Sequence, residues 1–161
     1  MSDTQGTKTV TWRSLVVLLI VTLGLAGLSA FLTRNSMNVY TELSLPAYAP
    51  PGWFFPVAWS ILYPAMAVAA WLYLRQENGN ALPSLAFYFI QLLVNVIWPI
   101  LFFLQKAWGL SFIWLVLLLA LALLTGLRFF RKSKAAGALF LPYLLWLTFA
   151  AVLNFAIARM N

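Results

Sequence analysis

The stretch QLLVNVIWPILFF, residues 91–103, has the composition of a membrane-spanning helix but carries polar residues that such a helix does not need. Gln91 and Asn95 are about one helical turn apart, and Trp98 and Pro99 follow them. An unpaired amide is costly in hydrocarbon. The two side chains must therefore either hydrogen-bond a neighbouring helix or face a bound molecule.

The composition of the whole chain indicates a membrane protein. Of its 161 residues, 64% are hydrophobic and only 8% are charged, with a mean hydropathy of +0.92. A soluble domain of this length needs more polar residues to cover its surface. The chain has no cysteine and no histidine. This excludes thiolate and histidine metal sites, histidine-ligated haem and Ser-His-Asp catalysis, and we predict no metal site.

Five apolar stretches are each long enough to cross a bilayer, which takes about 20 residues. They cover residues 14–33, 55–74, 82–104, 109–127 and 137–158, and none of them contains Asp, Glu, Lys or Arg. We therefore predict an all-α integral membrane protein. Residues 1–161 are expected to fold as a single bundle of five transmembrane helices.

The basic residues predict the orientation of these spans. One side of the membrane would carry seven of them: Lys8, Arg13, Arg75, Arg128, Arg131, Lys132 and Lys134. The other side would carry three: Arg34, Lys106 and Arg159. Because Lys and Arg accumulate in cytoplasmic loops, we expect a cytoplasmic N-terminus and an outer C-terminus. A bacterial inner membrane fits this short chain. The net charge of +7 is then explained by topology and anionic lipid, without a nucleic-acid partner.

The first connection, residues 35–54, is long and shows no helical period. It contains Pro46, Pro50, Pro51 and Gly52. Long loops in compact folds are often lids or binding loops. We therefore expect this loop to cover a pocket on the outer side.

Three spans each have a face of polar and aromatic side chains, recurring every three or four residues. These faces are Trp59 and Tyr63 in the second span, Tyr88, Gln91, Asn95, Trp98 and Phe102 in the third, and Tyr143, Trp146, Ala150 and Asn154 in the fifth. Facing one another, they would line a pocket for a flat, hydrophobic, mostly uncharged ligand. Alternatively, the amides cross-link helices, at about 0.6 kcal/mol on average for each bond.

No carboxylate or lysine lies inside a span, which argues against acid–base catalysis within the membrane and against a proton-coupled pump. Small residues form two further faces, Gly24, Ala26, Gly27 and Ala30 in the first span, and Ala65 and Ala69 in the second. Such faces permit close helix packing, either within one chain or between chains.

Three ordered motifs resemble the tryptophan-rich sensory protein and translocator protein family (TspO/MBR), once called peripheral-type benzodiazepine receptors. They are PPGWFFPVAWSILY (50–63), FYFIQLLVNVIWPILFF (87–103) and LPYLLWLTFAAVLNF (141–155). The resemblance extends from about residue 15 to the last residue.

The resemblance implies a five-helix bundle, a homodimer and a pocket beneath the first loop. It also implies binding of porphyrins such as protoporphyrin IX, of sterols in some members, and of benzodiazepine or isoquinoline drugs, with no required cofactor. The matching binding positions are Tyr40, Pro50, Trp59, Tyr63, Gln91, Asn95, Trp98, Trp146 and Ala150. The sterol pattern of the family wants a Tyr where this chain has Phe155, so sterol binding has weaker support.

The leading hypothesis is a membrane receptor or sensor that binds a porphyrin and is linked to tetrapyrrole or stress regulation. One alternative is an enzyme that degrades porphyrin in light. The resemblance then implicates Trp59 and Trp146 in the reaction. Another alternative is a passive transporter of porphyrin or sterol.

Overall fold

The computed structural model describes residues 10–36, 38–77 and 81–161, and this part of the chain is helical, with no strand. Five helices are long and apolar enough to span a membrane, as predicted. They are α1 (Trp12–Thr33), α3 (Phe54–Leu74), α5 (Ala86–Pro99, continued to Leu104), α6 (Trp108–Lys132) and α7 (Lys134–Met160). Two short helices, α2 (Val39–Glu42) and α4 (Ala81–Ser84), lie in the connections. The predicted fold class is confirmed.

The observed helix ends differ from the predicted ones near charged residues. We expected the fourth span to end at 127 and the fifth to begin at 137, but one residue, Ser133, separates α6 from α7. The Ser133 hydroxyl caps α7 by accepting a hydrogen bond from the Ala136 N–H at 3.2 Å. Charged residues mark the end of the stretch that lies in hydrocarbon. They do not interrupt backbone hydrogen bonding, so the helix continues beyond that stretch.

The third span changes its helical geometry at Pro99, which the sequence analysis did not predict. Proline has no N–H and disrupts the regular ladder. The next residues, Ile100–Leu104, form a π-helix, in which the Gln105 N–H donates to the Ile100 carbonyl at 3.0 Å. In addition, the Ser29 hydroxyl of α1 donates to the Val96 carbonyl at 3.3 Å. Neighbouring side chains and local π-geometry thus support the interrupted helix within the membrane.

The first loop is more ordered than its sequence indicated. Although its sequence shows no helical period, a 3₁₀ turn (Arg34–Ser36) leads into it and α2 lies within it. Tyr40 of α2 is buried and donates its hydroxyl hydrogen to the Pro50 carbonyl at 2.8 Å. Burial raises the pKa of the Tyr40 phenol, so the group stays protonated and remains a donor.

The five spanning helices form a closed ring in the order α1, α3, α7, α6, α5, with α5 packed against α1. The centre is filled by fully buried side chains: Met66, Leu92, Leu118, Phe140 and Leu147. Helix α1 is the least buried of the five. Lys8, one of the basic residues counted for the orientation, lies outside the described residues.

Candidate functional site

A cavity of about 380 Å³ lies between α1, α3 and α5. This volume is within the range of small-molecule sites. Three of the nine predicted binding residues line it: Trp59, Tyr63 and Trp98.

Aromatic rings form the inner wall of this cavity. The Trp59 ring stacks on Tyr63 with centroids 4.8 Å apart and planes inclined by 26°. Trp98 stacks in the same way on Phe102, at 5.1 Å and 30°. Such faces favour a flat ligand that stacks on them.

The polar groups of the cavity are few and uncharged. The Ser60 hydroxyl donates to the Val57 carbonyl at 2.7 Å, and the Thr33 hydroxyl donates to the Ser29 carbonyl at 2.9 Å. Their oxygen lone pairs remain available as acceptors. Within the described residues, no three His, Cys, Asp or Glu side chains come together as a metal site would require. The apolar lining and the few uncharged polar groups thus suit the cavity to a mainly apolar ligand.

Gln91 and Asn95 do not line this cavity. The Tyr143 hydroxyl of α7 donates to Gln91 Oε1 at 2.7 Å, and Asn95 Nδ2 donates to the Tyr143 oxygen at 3.2 Å. All three side chains are buried. The amide pair therefore joins α5 to α7, while Gln91 Nε2 is buried and has no hydrogen-bond partner among the residues that the structure describes. Ligand contact by either amide stays a prediction.

A second polar network fixes the orientation of Trp98. Its indole Nε1–H donates to Asn154 Oδ1 at 3.0 Å, and Asn154 Nδ2 donates to the Trp108 carbonyl at 3.0 Å. The Ser111 hydroxyl also reaches Asn154 Oδ1, at 3.1 Å. Asn154 thus acts as a helix cross-link, and the Trp98 ring is held in one plane at the cavity wall.

The other predicted residues lie in two adjoining spaces. Tyr40 and Ala150 line a cavity of only about 20 Å³ beneath the loop. Pro50 and Trp146 line an open groove of about 590 Å³ between α3 and α7. Trp146 contacts Trp59 edge-on, with ring centroids 6.2 Å apart. Seven of the nine residues predicted to share one pocket are thus distributed over three spaces, and Gln91 and Asn95 line none of the three.

Helix α1 also contributes to the cavity, which its sequence did not predict; it supplies six lining residues: Leu23, Ala26, Gly27, Ser29, Ala30 and Thr33. A signal was present, because the buried polar residues Thr22, Ser29 and Thr33 are spaced by seven and four. This spacing puts them on one helix face. From the sequence alone, the small residues between them indicate only a packing surface.

These features define a class of protein. The chain is an integral membrane protein with a bundle of five helices and an aromatic cavity between the first three spanning helices. The TspO/MBR family model matches residues 16–160. The chain belongs to the TspO/MBR family of membrane sensors and translocators, which confirms the resemblance seen in its motifs.

Similar proteins come from distant organisms. The chain is 40% identical over 125 residues to Protein CrtK of Rhodobacter capsulatus, covering 76% of this chain and 78% of that protein. It is 35% identical over 156 residues to tryptophan-rich protein TspO of Chlorobaculum tepidum, covering 96% and 98%. Identity to the translocator protein of Homo sapiens is 32% over 136 residues, covering 83% and 80%.

Proposed function

We propose that this protein is a membrane receptor or sensor whose cavity between α1, α3 and α5 binds a flat hydrophobic molecule of the porphyrin class, such as protoporphyrin IX. The observation that carries the proposal is the stacked aromatic wall formed by Trp59, Tyr63 and Trp98 in an otherwise apolar, uncharged cavity. Linkage to tetrapyrrole or stress regulation is part of the same proposal.

Two physical arguments support a porphyrin-like ligand. Indole and phenol faces stack on extended ring systems, and the apolar walls exclude water from the faces of such a ring. Arg34 follows Thr33 directly and lies just beyond the outer end of the cavity, with its guanidinium over the Phe31 ring at 4.1 Å. The peripheral carboxylates of a porphyrin would pair with the Arg34 guanidinium while the ring system stays in the cavity.

The test is a titration of the purified protein with protoporphyrin IX in the dark, followed by quenching of tryptophan fluorescence. We expect saturable binding by the unchanged protein. Replacing Trp59 by Leu removes one stacking face, which should weaken binding about tenfold, or about 1.4 kcal/mol.

Trp114→Leu is the matched control, because it also removes one indole. Trp114 is half-buried and donates its Nε1–H to the Val94 carbonyl at 2.8 Å, away from the cavity. Its loss should leave the affinity unchanged. Linear partitioning of porphyrin, as into empty micelles, would contradict the proposal, and so would equal weakening by both substitutions.

The edge contact of Trp59 with Trp146 favours one second function, degradation of the bound porphyrin in light with dioxygen as the oxidant. Two oxidisable indoles in contact beside the ligand would take part in such chemistry. Repeating the titration under illumination distinguishes the functions, because degradation produces a new absorbance band and binding alone does not. Passive transport of porphyrin or sterol rests on the resemblance alone.

The location and assembly of the protein belong to the same proposal. We infer a bacterial inner membrane, with the Arg75 end of α3 and the Lys132 end of α6 in the cytoplasm. The two ends meet in an ion pair, Lys132 Nζ to Glu77 Oε1 at 3.4 Å, so their basic residues share one side. A homodimer stays a prediction from the resemblance.

A further inference from the structure

The cavity between α1, α3 and α5 is open on one side of the bundle. Five of its lining residues are exposed, three from α1 and two from α3: Leu23, Gly27, Ala30, Pro56 and Ser60. Residues of the inner wall, such as Tyr63 and Trp98, are buried. The five exposed residues therefore form the rim of a mouth between α1 and α3.

The position of Gly27 on α1 shows the direction in which this mouth faces. Successive residues of an α-helix are rotated by about 100°, so Gly27 lies roughly 160° around the helix from Ser29. Ser29 is buried and its hydroxyl contacts α5. Gly27 therefore lies on the flank turned away from the bundle. A cavity lined by both residues passes beside α1 and opens sideways.

The mouth lies at the depth of the hydrocarbon. The α1 residues that line the cavity run from Leu23 to Thr33, about 15 Å of helix, which is half of the about 30 Å apolar core of a bilayer. Exposed apolar side chains of α1 surround them, among them Ile20, Leu28 and Phe31. The opening therefore faces acyl chains.

The first loop is attached at the end of the bundle that faces water. Within the described part of loop 35–54, no residue lines the cavity. The ring of Tyr40 packs edge-on against Phe55, with centroids 5.1 Å apart. The Asn161 side chain forms two reciprocal hydrogen bonds with Ser44, accepting from its N–H at 3.0 Å and donating to its carbonyl at 3.1 Å. The loop is thus held over the end of the bundle.

We propose that the mouth between α1 and α3 is a lateral portal through which the ligand passes between the bilayer and the cavity. The protein then takes hydrophobic molecules that are already dissolved in the membrane. Gly27 lies at an open part of the rim, because in the described part of the chain a Cβ added there would meet no atom within 4 Å outside the adjoining backbone of α1. This inference rests on the proposed function and assigns the source of the ligand.

The absence of cysteine makes the portal directly testable. Gly27→Cys provides one thiol at the rim, which is labelled with a methyl or a benzyl thiosulfonate in lipid nanodiscs. Rates of protoporphyrin IX binding and release are followed by tryptophan quenching. The benzyl label should slow both rates by about tenfold or more, and the smaller methyl label should slow them less. Binding and release should slow together, because the label obstructs the route and leaves the cavity unchanged. For release, the label is added after porphyrin has bound.

Gly24→Cys is the matched control. Gly24 is exposed on the same helix, also has no atom within 4 Å of an added Cβ, and does not line the cavity. Labelling it should leave both rates unchanged. Equal slowing at both positions, or unchanged rates at Gly27, overturns the portal. Faster release from the Gly27-labelled protein also overturns it, since the label then occupies the cavity and not the route.

Two further measurements complete the test. Asn161→Ala removes the two bonds that attach Ser44 of the loop to the end of α7, and the portal requires that this leave the binding rate unchanged. Faster binding by this variant would show access from water and overturn the portal alone. A change of oligomeric state on labelling Gly27 would show that another copy covers the mouth, which also overturns it. Absence of saturable binding by the unlabelled protein overturns the proposed function itself, and the portal with it.

Discussion

Glycine has opposite roles in two regions of this bundle. We call the α6–α7 pair the close-packed half, and α1 with the cavity beside it the open half. In the α6–α7 pair, a Cβ added at Gly137 would lie 2.6 Å from Phe130 Cβ and 2.7 Å from its Cα, a contact that real side chains do not make. In α1, a Cβ added at Gly24 or Gly27 would meet no atom within 4 Å. The first glycine permits contact between helices, whereas the other two leave space.

The difference follows from how each helix is connected to the next one and from how much of it is covered by neighbouring helices. Helices α6 and α7 are joined through Ser133 alone, so they must be antiparallel neighbours. Helix α1 leads into the long first loop and is the least buried of the five spanning helices. The small residues of α1 permit close packing either within the chain or between chains, and in the described part of the chain Gly24 and Gly27 make no close contact with another helix. Packing between chains stays a prediction. Small residues in a membrane helix thus indicate either close packing or a cavity.

The largest effect is expected from Gly137→Ala, which tests the close-packed half. The new methyl group would overlap the backbone of Phe130, so α6 and α7 must separate. Overpacking of this kind costs about 1–3 kcal/mol. Thermal unfolding of the purified protein in detergent should show a clearly lowered midpoint.

Gly24→Ala is the corresponding change in the open half. The methyl group has free space, and alanine favours a helix over glycine by up to about 1 kcal/mol. The midpoint should stay the same or rise. If both substitutions lower it equally, the contrast between the two halves does not exist.

A smaller effect is expected from Tyr143→Phe, which tests how the close-packed half is held to α5. The substitution removes the hydroxyl that bonds to Gln91 and Asn95 and leaves both amides with one partner fewer. The free energy of unfolding should fall by about 1–2 kcal/mol. Tyr48→Phe, in the exposed part of the first loop, should change nothing. Equal stability of the Tyr143 variant would mean that the amides find other partners.

The smallest effect is expected from Asn161→Ala, which separates the end of α7 from the first loop. Its two bonds to Ser44 are exposed to water and are together worth about 1 kcal/mol, so amide exchange at Ser44 should rise about fivefold. Global unfolding should not shift. Asn38→Ala is the control, because that side chain does not cap α2. Similar exchange in both variants would show that the loop is held by Tyr40 alone.

Much of the architecture was predictable, because hydropathy acts residue by residue. A run of about 20 apolar residues has no stable alternative to a helix in lipid, so five such runs define five spans. Periodicity also identified the buried face of α5, since Tyr88, Gln91, Asn95, Trp98 and Phe102 are all buried. The sequence did not predict the π-helix after Pro99, because its stability depends on packing against other helices.

The sequence by itself therefore determined the membrane setting, the number of spans and the side chains that avoid lipid, since each follows from local transfer energies. Only the tertiary structure decided which partners those side chains contact. Gln91 and Asn95 bond to Tyr143 from 52 and 48 residues away, and α1 supplies a cavity wall through residues that had looked like a packing surface. An amide has the same cost in hydrocarbon whether a helix or a ligand satisfies it. Its partner is fixed only when the ring of helices closes.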